Sequence, residues 1–105
     1  MGNLTEKVTI TGWVNVDDAL IAAAPTYQPA GRARSVTFLN NNAAAATLHF
    51  TDSGTQPANA TDGLPIGTTA ASAPGSSYTA ENVDLNGIWI NTPSALDIII
   101  AVIGL

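Results

Sequence analysis

The acidic residues and the single histidine are the side chains with which this sequence would have to do chemistry. His49 precedes Asp52 by three residues, so the pair could form one edge of a metal site. Asp17 and Asp18 could serve as paired carboxylates for acid–base catalysis. However, an exposed structural role is commoner for a lone histidine on a strand. Adjacent strand residues also point to opposite faces, so the two aspartates would not converge on one substrate. We therefore predict a turn or strand-end cap at Asp17–Asp18.

Two further stretches, Asp52–Gly54 and Asp62–Gly63, carry oxygen ligands of the kind that calcium prefers. Neither has the spaced acids and terminal glutamate of a calcium-binding loop. The chain has no cysteine, which excludes disulfides and thiolate metal sites. It also has no phosphate-binding glycine loop and no nucleophile elbow. We predict a protein that is not an enzyme and holds no metal or cofactor.

The charge balance constrains the partners. Eight acids face only Lys7, Arg32 and Arg34, which gives a net charge of −5. Three cations are too few for a basic patch, so no nucleic-acid partner is expected. The apolar run Ile98–Ile103 is far shorter than the ~20 residues of a membrane span, and Met1–Lys7 lacks the apolar core of a secretion signal. We expect no membrane partner, and synthesis in the cytoplasm.

Short strands are the elements that would position these residues. The chain has 105 residues, enough for one domain, and only 10% are charged, so its surface must be rich in Ser, Thr and Asn. Strands are predicted over Lys7–Val16, Ala19–Ala24, Arg34–Asn40, Thr47–Thr51, Ser76–Val83, Ile88–Ile90 and Leu96–Ile103. Their spacing, without a long helix, predicts an all-β fold, an antiparallel sandwich or small barrel of seven or eight short strands within residues 1–105. Residues 1–7 are predicted to form a flexible arm.

Four local interpretations accompany this prediction. A helical turn is the alternative to a strand at Ala19–Ala24. The strands on either side of Asn40–Ala44 are expected to pair as a hairpin, with Leu48 and Phe50 pointing inward. Residues 52–75 form a long loop, of a length that is usually functional or wrapped on a partner. Thr92–Ser94 is expected to turn the chain into its last strand.

That last strand, Leu96–Ile103, is predicted to be central in the sheet. Leu96, Ile98, Ile100 and Val102 would face the core, so the apolar residues on its other side need a different cover. We predict a partner or subunit interface there, formed by Trp13, Trp89, Ile99, Ala101 and Ile103. The large aromatics could instead be core residues, or could stack on sugars.

Several short motifs together resemble small virion proteins of tailed bacteriophages, of the head-decoration, cement or head-fibre type. The pieces that carry the resemblance are Val8–Thr11, Arg34–Thr37, Asn40–Ala43, Thr51–Gly54, Pro74–Ser76, Leu85–Ile90 and Asp97–Ile100. The long loop between Asp52 and Gly75 departs from that pattern.

The resemblance implies a β-sandwich or jelly-roll that binds the major capsid protein shell on the virion surface, with no catalytic residues to carry over. Self-association is expected because shells are symmetric, and a trimer is favoured over a dimer. A carbohydrate- or receptor-binding module of a phage fibre is the alternative.

Overall fold

The computed structural model describes residues 3–24, 32–42, 44–51, 54–59, 61–67 and 76–105. The elements are β1 (Asn3–Asn15), α1 (Val16–Ala23), β2 (Arg32–Asn40), β3 (Ala46–Phe50), β4 (Leu64–Ile66), β5 (Ser76–Asp84) and β6 (Ile88–Ile103), with a 3-10 turn at Leu85–Gly87. The strands pair antiparallel in one curled sheet that forms a half-barrel. The all-β prediction is confirmed, with six strands among the described residues rather than seven or eight.

β6 is the central strand, as its apolar run predicts. One of its edges pairs with β1, and the other pairs first with β3 and then with β2. Asn40 and Thr47 lie seven residues apart, and so do the residues opposite them, Ile98 and Asn91. β2 and β3 therefore follow one line along β6. The predicted hairpin between them is wrong, because β2 pairs with β5 and β3 pairs with β4.

β6 also merges two segments that were predicted as separate strands, Ile88–Ile90 and Leu96–Ile103. The chain stays extended across Thr92–Ser94, so the turn predicted there is wrong. The sequence pattern is that of a turn because proline and serine interrupt the apolar run. In a long strand the same residues can instead mark a bulge, where a missing N–H is tolerated.

The bulge interrupts the register of the β1–β6 pairing. Ile10 is opposite Leu96, but Gly12 is opposite Thr92, so Pro93–Ala95 protrude opposite a single β1 residue. Gly12 has a positive φ of 67°, which glycine adopts without strain. The Thr92 hydroxyl donates a hydrogen bond to the Ile10 carbonyl. The bulge bends the long strand and helps to curl the sheet.

Ala19–Ala24 was predicted as a strand, but residues up to Ala23 belong to α1, so the helical alternative is the better one. Asn15 is the reason. Its side-chain oxygen accepts hydrogen bonds from the backbone N–H groups of Asp17 and Asp18, at 3.0 and 3.3 Å. This caps the helix, and acids in the first turn suit the helix dipole. The turn or strand-end cap predicted at Asp17–Asp18 is therefore wrong, because both residues lie in the first turn of α1 and the capping side chain is that of Asn15.

The core lies inside the curve of the sheet and under α1. Its most deeply buried side chains are Ile10, Val16, Leu20, Val36, Phe38, Leu48, Leu85, Ile88, Ile90, Ile98, Ile100 and Val102. The predicted inward positions of β6 are confirmed, except that Leu96 beside the bulge is only partly buried. Phe50, also predicted inward, is 40% exposed because it is the last residue of β3.

Residues 3–7 pair with Ile99–Ile103 as part of β1, so the prediction of a flexible arm is wrong for them. Met1 and Gly2 lie outside the described residues, as do the predicted loop Pro25–Gly31 and residues 52, 53, 60 and 68–75 of the long loop. In the part of the chain that is described, no helix has the length and apolarity needed to cross a bilayer.

Candidate interaction surface

All five predicted interface residues lie on the outer face of the sheet, which is the face turned away from the core. Trp13 is on β1 and the others are at odd-numbered positions of β6, where they alternate with buried even-numbered residues. The bulge divides them into two groups. Ile99, Ala101 and Ile103 follow the bulge in β6. Trp89 precedes it, and so does Asn91, the residue opposite Trp13.

The first group forms an uncovered apolar strip. Ile103 is 46% exposed, and Ile99 and Ala101 are partly exposed. Leu39 of β2 lies directly opposite Ile99 and is also partly exposed. We call these four residues the outer strip. Sequence reasoning missed Leu39, although alternation puts it on the opposite face of β2 from Phe38. What was missing was the pairing of β2 with β6.

Threonines frame the outer strip. Ala101 lies between Thr5 on β1 and Thr37 on β2, and Thr37 lies opposite Thr79 on β5. The hydroxyls of Thr37 and Thr79 are 2.8 Å apart and hydrogen-bonded. β-Branched side chains have few rotamers, so this surface is stiff before any partner arrives.

The end of the strip is fixed by backbone contacts around Gly104. Its N–H donates to the Asn3 side chain at 3.3 Å, and its carbonyl accepts from the Arg34 N–H at 3.2 Å. Gly104 has a positive φ of 74°, and a Cβ there would lie only 2.7 Å from the Arg34 Cβ. A glycine is therefore needed where the chain turns away just after Ile103.

The two tryptophans are covered by a segment of the same chain, residues 54–59 and 61–63, which we call the cover segment. The Trp13 indole N–H donates to the Asn59 carbonyl, and the Trp89 indole N–H donates to the Gly54 carbonyl, both at 3.2 Å. Both side chains are partly buried. This part of the long loop thus wraps onto its own sheet.

His49 is part of the same contact. Its Nδ1 lies 2.6 Å from the Asp62 carbonyl oxygen. A carbonyl can only accept, so Nδ1 carries the proton in this contact. The ring also meets the Trp13 ring edge to face, with centroids 6.2 Å apart. His49 therefore helps to fix the cover segment.

The residues considered above as possible calcium ligands have structural partners or lie outside the described residues. The Asp62 carboxylate accepts a hydrogen bond from the Asn59 N–H at 3.2 Å and closes a turn of the cover segment. Asp52 and Ser53 lie outside the described residues, so the pairing of His49 with Asp52 does too. In the described ranges, no three histidine or acidic side chains are grouped so that they could hold a metal.

No family model matches this sequence, and no curated protein or solved structure is significantly similar to it. The functional proposal therefore depends on the surface itself and on the sequence motifs.

Gly63 provides a test of the cover segment. A Cβ there would overlap the Leu48 carbonyl oxygen and lie 2.9 Å from the Thr47 Cγ2. We expect Gly63→Ala to push the segment off β3, to lower the free energy of unfolding by about 1–3 kcal/mol, and to shift tryptophan emission to longer wavelength. Thr61→Ala, at an exposed position of the same segment, is the control and should change neither. Unchanged emission for Gly63→Ala would contradict the close packing.

Proposed function

We propose that this protein is a non-enzymatic virion component that binds the assembled capsid shell and decorates or stabilises it. The outer strip is the observation that carries the proposal. It is an apolar surface in the middle of a stiff sheet face, and Ile103 within it is 46% exposed. An exposed apolar patch on a rigid support is typical of a protein-binding surface.

The charge distribution supports a protein partner over a nucleic acid. Of the three cations, Arg32 donates to the Asn82 carbonyl at 3.1 Å, and Arg34 packs against Gly104. Lys7 lies on the outer face beside Ile99. With a net charge of −5, the molecule would be repelled by packaged nucleic acid.

The proposal includes self-association, with a trimer favoured over a dimer. Shells are symmetric, and contacts that are weak singly become strong when several copies bind together. It also includes closure of the curled sheet into a jelly-roll-like sandwich. Sedimentation equilibrium that gives about three times the chain mass of 10.7 kDa would support the trimer.

Ile103→Asp tests the role of the outer strip. A carboxylate in the strip would have to be desolvated on binding. We therefore expect the variant to bind shells at least about tenfold more weakly, which is 1.4 kcal/mol or more. The measurement is co-sedimentation with capsid shells assembled without this protein.

Ile21→Asp is the matched control, because Ile21 on α1 is 43% exposed and lies outside the strip. It should bind like the unmodified protein. Equal binding by the Ile103→Asp variant would remove the strip from the interface. If the unmodified protein does not bind shells at micromolar concentration, the proposed function is wrong.

A carbohydrate- or receptor-binding module is the second candidate. The position of Trp13 and Trp89 on the same face of the sheet favours it. Their N–H groups are used by the cover segment, so only ring faces would be left to stack on a sugar. Glycan-array binding that is lost on Trp13→Ala or Trp89→Ala would favour this candidate over shell binding.

A further inference from the structure

β1 is an edge strand over its whole length. Among the described residues it pairs with β6 alone, so the backbone groups on its other side have no strand partner. Edge strands are usually shortened, bulged or interrupted by proline, because an open edge invites another strand. Asn3–Ile10 has neither a proline nor a bulge. This edge is therefore suited to accept one more strand.

An apolar groove of about 350 Å³ runs beside this edge, between β1 and α1. Its apolar walls are Val8, Ile10 and Val14 from the strand and Ala19, Ala22 and Ala23 from the helix. The alanines leave room because their side chains are short. A pocket of this size is at the lower end of the range that binds ligands.

Asp18 is the charged residue in the groove lining, and its side chain is exposed. It lies in the first turn of α1, at the rim rather than at the floor. An occupant of the groove would thus meet apolar walls and a negative charge at one side.

We propose that β1 and this groove bind an extended segment of another protein, which adds a strand to the sheet. Side chains alternate along a strand, so every second residue of the segment would enter the groove while its backbone pairs with β1. The segment would carry aliphatic residues at those alternate positions and a lysine or arginine next to Asp18. This site is separate from the outer strip and does not depend on shell binding.

Charge argues against a second copy of this chain as the occupant. In a symmetric antiparallel β1–β1 pair, one face of each β1 would lie next to the groove of the other copy. That face carries Glu6, Val8 and Ile10. Glu6 would then add a second negative charge beside a groove that already contains Asp18. Lys7, the cation of β1, lies on the opposite face, beside Ile99. A basic segment of a different protein fits the groove better, and the net charge of −5 would attract it.

A short synthetic peptide in which valine alternates with threonine, with lysine at both ends, is the probe. We expect it to bind the whole protein and to slow hydrogen exchange of β1 amides at least tenfold. A glutamate version, and a version with alternate backbone nitrogens methylated, should each bind at least tenfold more weakly. Equal binding of all three peptides would overturn the proposal.

Two variants locate the site. Ala22→Phe fills the groove from an exposed helix position and should weaken peptide binding at least tenfold, whereas Ile21→Phe, one residue away and outside the lining, should not. Asp18→Lys should reverse the preference, so that the glutamate peptide binds better than the lysine peptide. An unchanged preference would overturn the proposal. An Ala22→Phe variant that changes the oligomeric state but not peptide binding would also overturn the proposal, because the groove would then bind a second copy of this chain.

Discussion

Replacing Asn40 by alanine is expected to lower the free energy of unfolding by roughly 3–5 kcal/mol. Asn40 ends β2 and is fully buried. Its side-chain nitrogen donates to the carbonyls of Ala44 at 2.8 Å and Ile66 at 3.0 Å. Its side-chain oxygen accepts from the backbone N–H and the side chain of Asn42, at 3.1 and 2.9 Å.

The position of Asn40 explains why the effect should be large. It lies where β2 leaves β6 and the chain loops out before β3 begins, and its contact with Ile66 ties in the end of β4. Alanine would leave the buried Ile66 carbonyl and the part-buried Ala44 carbonyl without this donor, and each such group costs up to about 1–3 kcal/mol. That total is a large part of the 5–15 kcal/mol by which a domain of this kind is typically stable.

Urea unfolding, followed by the shift in midpoint at constant slope, measures the effect. Asn41→Ala is the control, because Asn41 is the exposed neighbour and should change stability by no more than about 0.5 kcal/mol. Asn40→Asp separates shape from hydrogen bonding. It keeps the side-chain size but loses both donors, so it should destabilise at least as much as alanine. A loss below about 1 kcal/mol for Asn40→Ala would show that water or a local shift replaces these bonds.

Phe38→Ala should lower the free energy of unfolding by about 3–5 kcal/mol, because it leaves a cavity in the middle of the core. Phe38 lies on β2 between Ile100 of β6 and Tyr78 of β5, and it is fully buried. The neighbouring strands are held in place by their own backbone pairing, so the cavity cannot close completely.

The chain has one other phenylalanine, which makes a matched comparison possible. Phe50 is 40% exposed, and its ring contacts Tyr78 with centroids 5.9 Å apart. Phe50→Ala should therefore cost only about 0.5–1.5 kcal/mol. Thermal unfolding followed by circular dichroism compares the two variants, and equal losses would contradict the assignment of Phe38 to the centre of the core.

Local alternation was enough to predict the faces of the individual strands. Ile98, Ile100 and Val102 are buried and Ile99 faces outward because a strand has a period of two residues, and that signal is present in the sequence itself. The same alternation separates Leu39 from Phe38 on β2. It could not show that Leu39 meets Ile99, because the partner of each strand is decided by contacts between distant residues.

The same limit explains the wrong predictions. Proline at position 93 ends a strand in most sequences, and only the pairing with β1 shows that it lies in a bulge here. Asn15 follows a strand pattern, and its capping role depends on the helix that comes after it. The covering of Trp13 and Trp89 depends on contacts 46 and 35 residues away along the chain. Alternation therefore indicated that Ile99, Ala101 and Ile103 face outward, but it left the face of Trp89 undecided and could not divide the predicted interface residues into two groups.

The central position of β6 also determines when this protein can fold during its synthesis. A growing chain that has reached residue 87 already holds five of the six described strands. At that point β1 still lacks its strand partner, and β2 and β3 each lack one of their two partners. Until then only the β2–β5 and β3–β4 pairs can form, and the apolar sides of β1 and β2 stay exposed on the ribosome. Because the decisive contacts join distant parts of the chain, folding should be slow and should follow translation of β6. The apolar face of β6 thus becomes available to complete the core only after nearly the whole chain has been made.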